Sequence, residues 1–227
     1  MGINRGMPLV IIGAGGFGRE VKWLVERINQ RDMEQTGHTK FNLIGFLDDG
    51  IKPGTYIAGL PVLGGIEWLE EQETELNLVC AVGAAKVREK IIRRIEGFKA
   101  YDQFSFPVIC DPSVLFDNDL CLGRGCIICA GTILTVNVQI GEFSIINLAC
   151  TIGHDAVLEP FVTLYPGVNL SGCVTVGKRT ELGTGSCVIQ GISIEENVIV
   201  GAGAVVIREL PKGCTAVGSP ARPIKFG

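Results

Sequence analysis

From residue 122 onward the apolar positions follow a period that neither an α-helix nor an ordinary strand explains. Every sixth residue, from Leu122 through Ile128, Leu134 and Ile140 to Val206, is Leu, Ile or Val. Two residues before each aliphatic from Ile128 onward stands a small or β-branched one, as in Cys126, Thr132, Ser144, Cys150 and Ala156. Side chains alternate across a strand, so these two share one face, with an outward residue between them. The next three residues of each hexad turn a corner. This repeat predicts a parallel β-helix. Three hexads make one coil, and coils stack about 4.8 Å apart. Cys110 and Phe116 continue the register upstream, which predicts about five coils.

Before the repeats, strand and helix patterns alternate. "PLVIIGAGG" reads as a buried strand running into a glycine turn, and "REVKWLVERI" as a helix with Val21, Leu24, Val25 and Ile28 on one face. "NLIGFLDD" and "LNLVCAVG" read as strands, and "AKVREKIIRRIEG" as a second helix. "LPVLGGIEWLEE" reads as a turn leading into a short helix, "FSFPVIC" as a last strand, and "RDMEQTGHTK" as an exposed loop. About four strands alternating with helices imply a small parallel sheet. The predicted architecture is an α/β Rossmann-like mononucleotide-binding domain over residues 1–107, followed by a β-helix domain over residues 108–227.

Charge and composition narrow the function. A formal net charge of −4 speaks against nucleic acid as a partner, since phosphate binding wants a basic face. No stretch has the roughly 18 apolar residues of a membrane span. "MGINRGMPLVIIGAGG" makes a poor signal peptide, and Gly6 stands where a myristoylation site at Gly2 needs Ser or Thr. Nine cysteines is an odd number for a disulfide framework. A cytoplasmic protein with free thiols is expected. Cys121, Cys126 and Cys129 have the spacing of an iron–sulfur site, but the hexad register sends them in different directions, so no metal is expected there.

Two segments carry candidate chemistry. "GAGGFG", Gly13 to Gly18, matches G-x-G-x-x-G between a strand and a helix, where a helix N-terminus favours phosphate. Asp48 and Asp49 at the end of the next strand can accept from ribose hydroxyls. A nucleotide diphosphate fits this better than a full dinucleotide, because the sheet has only one mononucleotide half. The second segment is "GHDA". His154 and Asp155 fall at a corner of the β-helix, outside its core, and residues 18 apart stack on the same edge, so Gly172 lies one coil above His154. A neutral imidazole is the natural general base near neutrality, and Asp155 can orient it. His38, the other histidine, sits in the polar stretch.

With "GAGGFGREV", "GFLDD", "VGAAKVREKI", "NLACTIGHDAVL", "LSGCVTVG", "IVGAGAVVIREL" and "AVGSPARPI", the chain resembles the left-handed β-helix sugar acyltransferases. That group includes sialic-acid O-acetyltransferases and bacterial N-acetyltransferases of nucleotide-linked amino sugars. The resemblance implies a left-handed coil, a homotrimer, and acetyl-CoA as co-substrate between neighbouring β-helices. It implies His154 as general base and Asp155 as the residue that tunes it, with Asn147 in support. Gly15, Gly16, Phe17, Asp48, Asp49 and Gly83 would touch the nucleotide sugar, and Thr163, Gly172, Thr184 and Ala202 the coenzyme. Phe17 stands where a His is common, Thr163 where some N-acetyltransferases carry a second His, and Ser219 where Asn usually precedes "PA". The expected reaction is direct acetyl transfer to a sugar amine, without an acyl-enzyme, because no Ser or Cys sits in an evident triad. The alternatives are O-acetylation of a sugar such as sialic acid, or a non-catalytic trimeric scaffold that binds nucleotide sugars.

Overall fold

The computed structural model describes residues 6–227; Gly2, with its myristoylation question, lies outside the described residues. The chain divides into two compact units. One comprises the residues up to Gly83 together with Val87–Pro112, the other Ala84–Lys86 and Ser113–Gly227. The division thus falls five residues after the predicted boundary, just ahead of the first hexad strand at Leu115.

The first unit is built on β1 (Met7–Ile12), whose Leu9 to Ile12 are all buried. Strand β1 pairs in parallel with β2 (Phe41–Leu47) and with β5 (Leu76–Cys80), and β5 with β6 (Phe104–Ser105). Helix α1 (Gly16–Thr36) packs Val21, Leu24, Val25 and Ile28 inward, the face its spacing predicts. It runs eight residues beyond Ile28, through most of the stretch expected to be a loop. Arg, Gln, Glu and Met there are good helix formers that need no buried face. The helix stops where Gly37 takes the left-handed conformation (φ 77°) and returns its N–H to Met33 O at 3.0 Å.

The sheet has six strands rather than four, in the order β3-β4-β2-β1-β5-β6. The additional pair, β3 (Tyr56–Ile57) and β4 (Leu60–Gly64), forms a hairpin around Ala58 and Gly59, both at positive φ. "LPVLG" is therefore a strand and not a turn. Its turn pair is Ala-Gly rather than the usual Asn-Gly signal, and each arm is short. The short helix after it is a 3-10 turn over Ile66–Glu71. Helix α2 (Ala85–Glu96) follows β5. Pro107 splits the expected last strand into β6 and β7 (Ile109–Cys110), which lies against α1.

In the second unit, two-residue strands recur every six residues, from β8 (Leu115–Phe116) to β23 (Val205–Val206). From Leu115–Phe116 to Cys187–Val188, each pairs in parallel with the strand 18 residues on, as Ile133 with Thr151 and Thr151 with Asn169. These ladders make the three faces of the β-helix. Of the period-six aliphatics, only Leu122 in the first coil is less than fully buried. Each of the others contributes about 1.5–3 kcal/mol relative to an exposed position. The inward hydroxyls of Thr132, Ser144 and Thr180 are satisfied by the next coil, as Thr180 Oγ1 donates to Glu195 O at 2.7 Å and Thr132 Oγ1 to Asn147 O at 3.2 Å, whereas Ser186 Oγ is buried without a partner among the described residues. The hairpin of β24 (Cys214–Val217) and β25 (Arg222–Phe226) ends one face.

Candidate functional site

The glycine turn between β1 and α1 has a steric reason at Gly13 and Gly18. Gly13 sits at φ 97°. A Cβ on Gly18 would lie 2.0 Å from Gly13 O, so only glycine lets α1 approach the end of β1 this closely. A Cβ on Gly15 would meet nothing within 4 Å, and the outer side of the turn is open. Phe17 is half-buried.

Asp48 and Asp49 stand at the end of β2 and tie loops together. Asp48 accepts the Ala14 N–H at 2.9 Å on Oδ2 and the Gly50 N–H at 3.0 Å on Oδ1. Asp49 Oδ1 accepts the Ile66 N–H at 3.0 Å. A carboxylate has about four lone-pair sites, so each keeps capacity for a ligand. A cavity of about 410 Å³ opens beside them, lined by Gly13, Leu47, Asp48, Asp49, Val82, Lys90 and Arg94 among others. It lies at the carboxyl ends of the strands, where open α/β sheets bind ligands. Gly15, Gly16, Phe17 and Gly83 are not in its lining; Gly16 borders a separate depression with Arg19 and Trp23.

Three residues of α2 escaped the sequence reading. Lys90 and Arg94 are one helical turn apart and bring two cations to the cavity; Arg94 also pairs with Glu67. Arg88 is 1% exposed and donates from Nη1 to Val82 O at 2.7 Å and Gly83 O at 2.8 Å, fixing the loop after β5. The spacing of the two cations was visible, but the face they occupy was not.

In the β-helix, β14 (Thr151–Ile152) and β15 (Val157–Leu158) flank the corner that carries His154 and Asp155. Both side chains are about half exposed, at 48% and 49%. Asp155 takes φ 57°, and the residues stacked with it, Asn137, Cys173 and Gly191, share the left-handed conformation. His154 Nδ1 is 2.8 Å from Asp155 Oδ2, and Asn137 Nδ2 donates to Asp155 Oδ1 at 2.7 Å. These bonds, Asn137 first and His154 second, hold the Asp155 carboxyl below its ordinary range. An ionised carboxylate only accepts, so Nδ1 carries a proton, and in the neutral ring Nε2 is the acceptor.

Nε2 faces Gly172. A Cβ there would stand 2.3 Å from Nε2, so the ring itself fills the room that the missing side chain leaves. A Cβ on Gly153 would lie 2.6 Å from Gly172 N. Among the described residues no acceptor takes the Gly172 N–H. One neighbour was not singled out from the sequence. Cys173 donates its N–H to His154 O at 2.8 Å and carries an exposed thiol one coil above Asp155. Its only sequence signal was the 18-residue spacing.

The other expected site residues lie elsewhere in the coil. Thr163 is 1% exposed, on the face between Ile145 and Glu181. Thr184 and Ala202 are exposed and stack at a different corner, where Gly203 N–H donates to Thr184 O at 2.8 Å. Asn147, 8% exposed, accepts the Leu148 N–H on Oδ1 at 2.7 Å and holds the start of that same edge. Cys126 and Cys129 are buried while Cys121 is exposed, and none of the nine cysteines is in a disulfide. Among the described residues no helix is long and apolar enough to cross a membrane.

Residues 8–95 match the family model described as the PglD N-terminal domain. Similarity to solved structures extends over both units. The perosamine N-acetyltransferase of Caulobacter crescentus, solved with CoA and GDP-perosamine, is 32% identical over 96% of this chain and 97% of that one, with a TM-score of 0.77. The acetyltransferase domain of PglB from Neisseria gonorrhoeae FA1090, solved with acetyl coenzyme A, is 30% identical over 96% of this chain and 100% of that one, with a TM-score of 0.83. The serine acetyltransferase of Synechococcus elongatus is 36% identical over 86 residues, and the match spans only 35% of that protein's length. A glycine-turn α/β unit, an uninterrupted hexad coil and full-length likeness to both solved enzymes place the chain in the family of left-handed β-helix sugar N-acetyltransferases.

Proposed function

We propose that the protein transfers acetyl from acetyl-CoA directly to the amino group of a nucleotide-linked amino sugar. The observation that carries the reading is the His154 ring, held through Nδ1 by Asp155 and presenting Nε2 to a residue without a side chain. Nε2 takes a proton from the acceptor amine as nitrogen attacks the thioester carbonyl. The unengaged Gly172 N–H is suited to hold the developing oxyanion. CoA leaves as the thiol, and His154 returns the proton. No acyl-enzyme is required.

The cavity beside Asp48 and Asp49 supports a nucleotide site in the first unit. Lys90 and Arg94 offer charge for a diphosphate, and the two carboxylates offer acceptors for hydroxyls. Thr163, Gly172, Thr184 and Ala202 are the proposed coenzyme contacts. Thr184 and Ala202 do not share the corner of His154, so a complete site calls for a neighbouring copy, and a homotrimer supplies one on each side. Outward aliphatics favour such assembly: Ile133, Ile189 and Ile199 are 39%, 44% and 49% exposed, although Ile127 and Ile145 are already buried within one chain. A cytoplasmic location suits nine cysteines without a disulfide.

The test is product analysis. The protein, acetyl-CoA and a panel of nucleotide-linked amino sugars should yield a product heavier by one acetyl group, with the new carbonyl in an amide. An ester on a sugar hydroxyl would assign the family's chemistry to oxygen instead. Thermal unfolding gives a second readout, because ligands of the native state raise its stability. Nucleotide sugar and CoA should each raise the midpoint.

A further inference from the structure

The thiol of Cys173 changes what the His154 corner can bind. One ring nitrogen of His154, one carboxylate oxygen of Asp155 and Cys173 Sγ all lie within 4.8 Å of one another. All three side chains are exposed. The frame that carries them is fixed: Cys173 N–H is bonded to His154 O at 2.8 Å, and Asn137 holds Asp155 from below at 2.7 Å. The next residue in the Cys173 stack is Gly191, and Gly172 stands beside the thiol, so no side chain from either crowds the cluster.

Imidazole, carboxylate and thiolate together suit Zn²⁺, whereas Mg²⁺ and Ca²⁺ prefer all-oxygen ligands. Bonds of about 2.0–2.3 Å in a tetrahedron place neighbouring donors roughly 3.3–3.8 Å apart. The three donors need to shift by about an ångström or less, and half-exposed side chains can do so by rotation. Three protein ligands leave a fourth position open.

We propose that His154, Asp155 and Cys173 form an inhibitory Zn²⁺ site, and this rests on the reading of His154 as the general base. The thiol proton is released on binding, because the thiolate is the ligand. Either mode of imidazole ligation abolishes the base. If the ion takes Nε2, the accepting atom is blocked. If it takes Nδ1, the ring proton must sit on Nε2, which then cannot accept. In the second case the ion also takes the place of the Nδ1–H bond to Asp155.

The test separates binding from activity. Zn²⁺ affinity is measured by competition with a chromophoric chelator, without sugar or CoA, on the wild type, Cys173→Ala and Cys173→Ser. Loss of an outer-shell partner alone typically costs about 10–100-fold in metal affinity, so both variants should lose at least roughly tenfold. Mg²⁺ should not compete. Initial rates of acetyl transfer, read from product mass because released CoA itself binds zinc, should fall with Zn²⁺ for the wild type and recover with a chelator. Both Cys173 variants should keep the metal-free rate and lose the zinc sensitivity. Equal Zn²⁺ affinity in wild type and variants would overturn the site. Bound Zn²⁺ with an undiminished wild-type rate would overturn the inhibition. Should no sugar be acetylated, the chelator arm alone still decides the site, and the failure belongs to the proposed activity.

Discussion

A methyl group at residue 172 would stand 2.3 Å from His154 Nε2, so Gly172→Ala must push the imidazole off its place. Displacement of a reacting group by about an ångström costs on the order of 10²-fold in rate. The variant should lose kcat by that amount while the far-ultraviolet circular dichroism stays unchanged, because the corner lies outside the buried core. Asp155 invites a different measurement. Its folded pKa is depressed by Asn137 and His154, so its contribution to stability is complete above the unfolded carboxylate pKa. That contribution is lost as pH falls through the lower folded value. The gap in urea midpoint between wild type and Asp155→Asn should therefore shrink with acidification; a gap that widened would contradict the sign. His154, Asp155 and Gly172 were legible from sequence because an 18-residue spacing converts directly into stacking. Lys90, Arg94 and Arg88 were not, since helical spacing names a face without saying what that face meets. Cys173 was hidden for another reason: one thiol among nine has no meaning until its corner is compared with the one below.

The corners of the coil set what each strand can tolerate. Along one edge Phe143 and Phe161 hold left-handed backbone at φ 55° and 63°, and their rings stack with centroids 5.3 Å apart. Stacking and burial offset the strain of a bulky residue there. Gly125 begins that edge at φ 68°, and a Cβ on it would strike the Phe143 ring at 2.4 Å. Gly203 on another edge has a similar φ of 66° with open space around it. Gly125→Ala should cost about 2–4 kcal/mol and Gly203→Ala about 1 kcal/mol, since only the first adds a clash to the conformational strain. Urea unfolding of both variants checks the difference, and equal costs would show that backbone strain alone decides. The coil was legible at this scale because one period ran uninterrupted from Leu122 to Val206. The α/β unit was less so. Helix α1 continued into polar residues whose helix propensity outweighed their look of a loop, and the β3–β4 hairpin gave too little alternation to see.

At the scale of the whole molecule, Thr184 and Ala202 stack at another corner than His154, and the proposed coenzyme site therefore predicts a homotrimer. Light scattering should give a mass three times that of one chain at micromolar concentration. A stable monomer would leave the site without half of its proposed contacts. The central claim is that His154 is the base for acetyl transfer to a sugar amine, and His154→Ala tests it most directly. Steady-state rates with acetyl-CoA and the amino sugar that the product assay identifies should show kcat lower by roughly 10²–10⁴, the usual range for losing a general base. The oligomer and the affinities for both ligands should stay nearly intact. A variant that keeps the wild-type kcat would reduce His154 to a solvated corner residue and contradict the account.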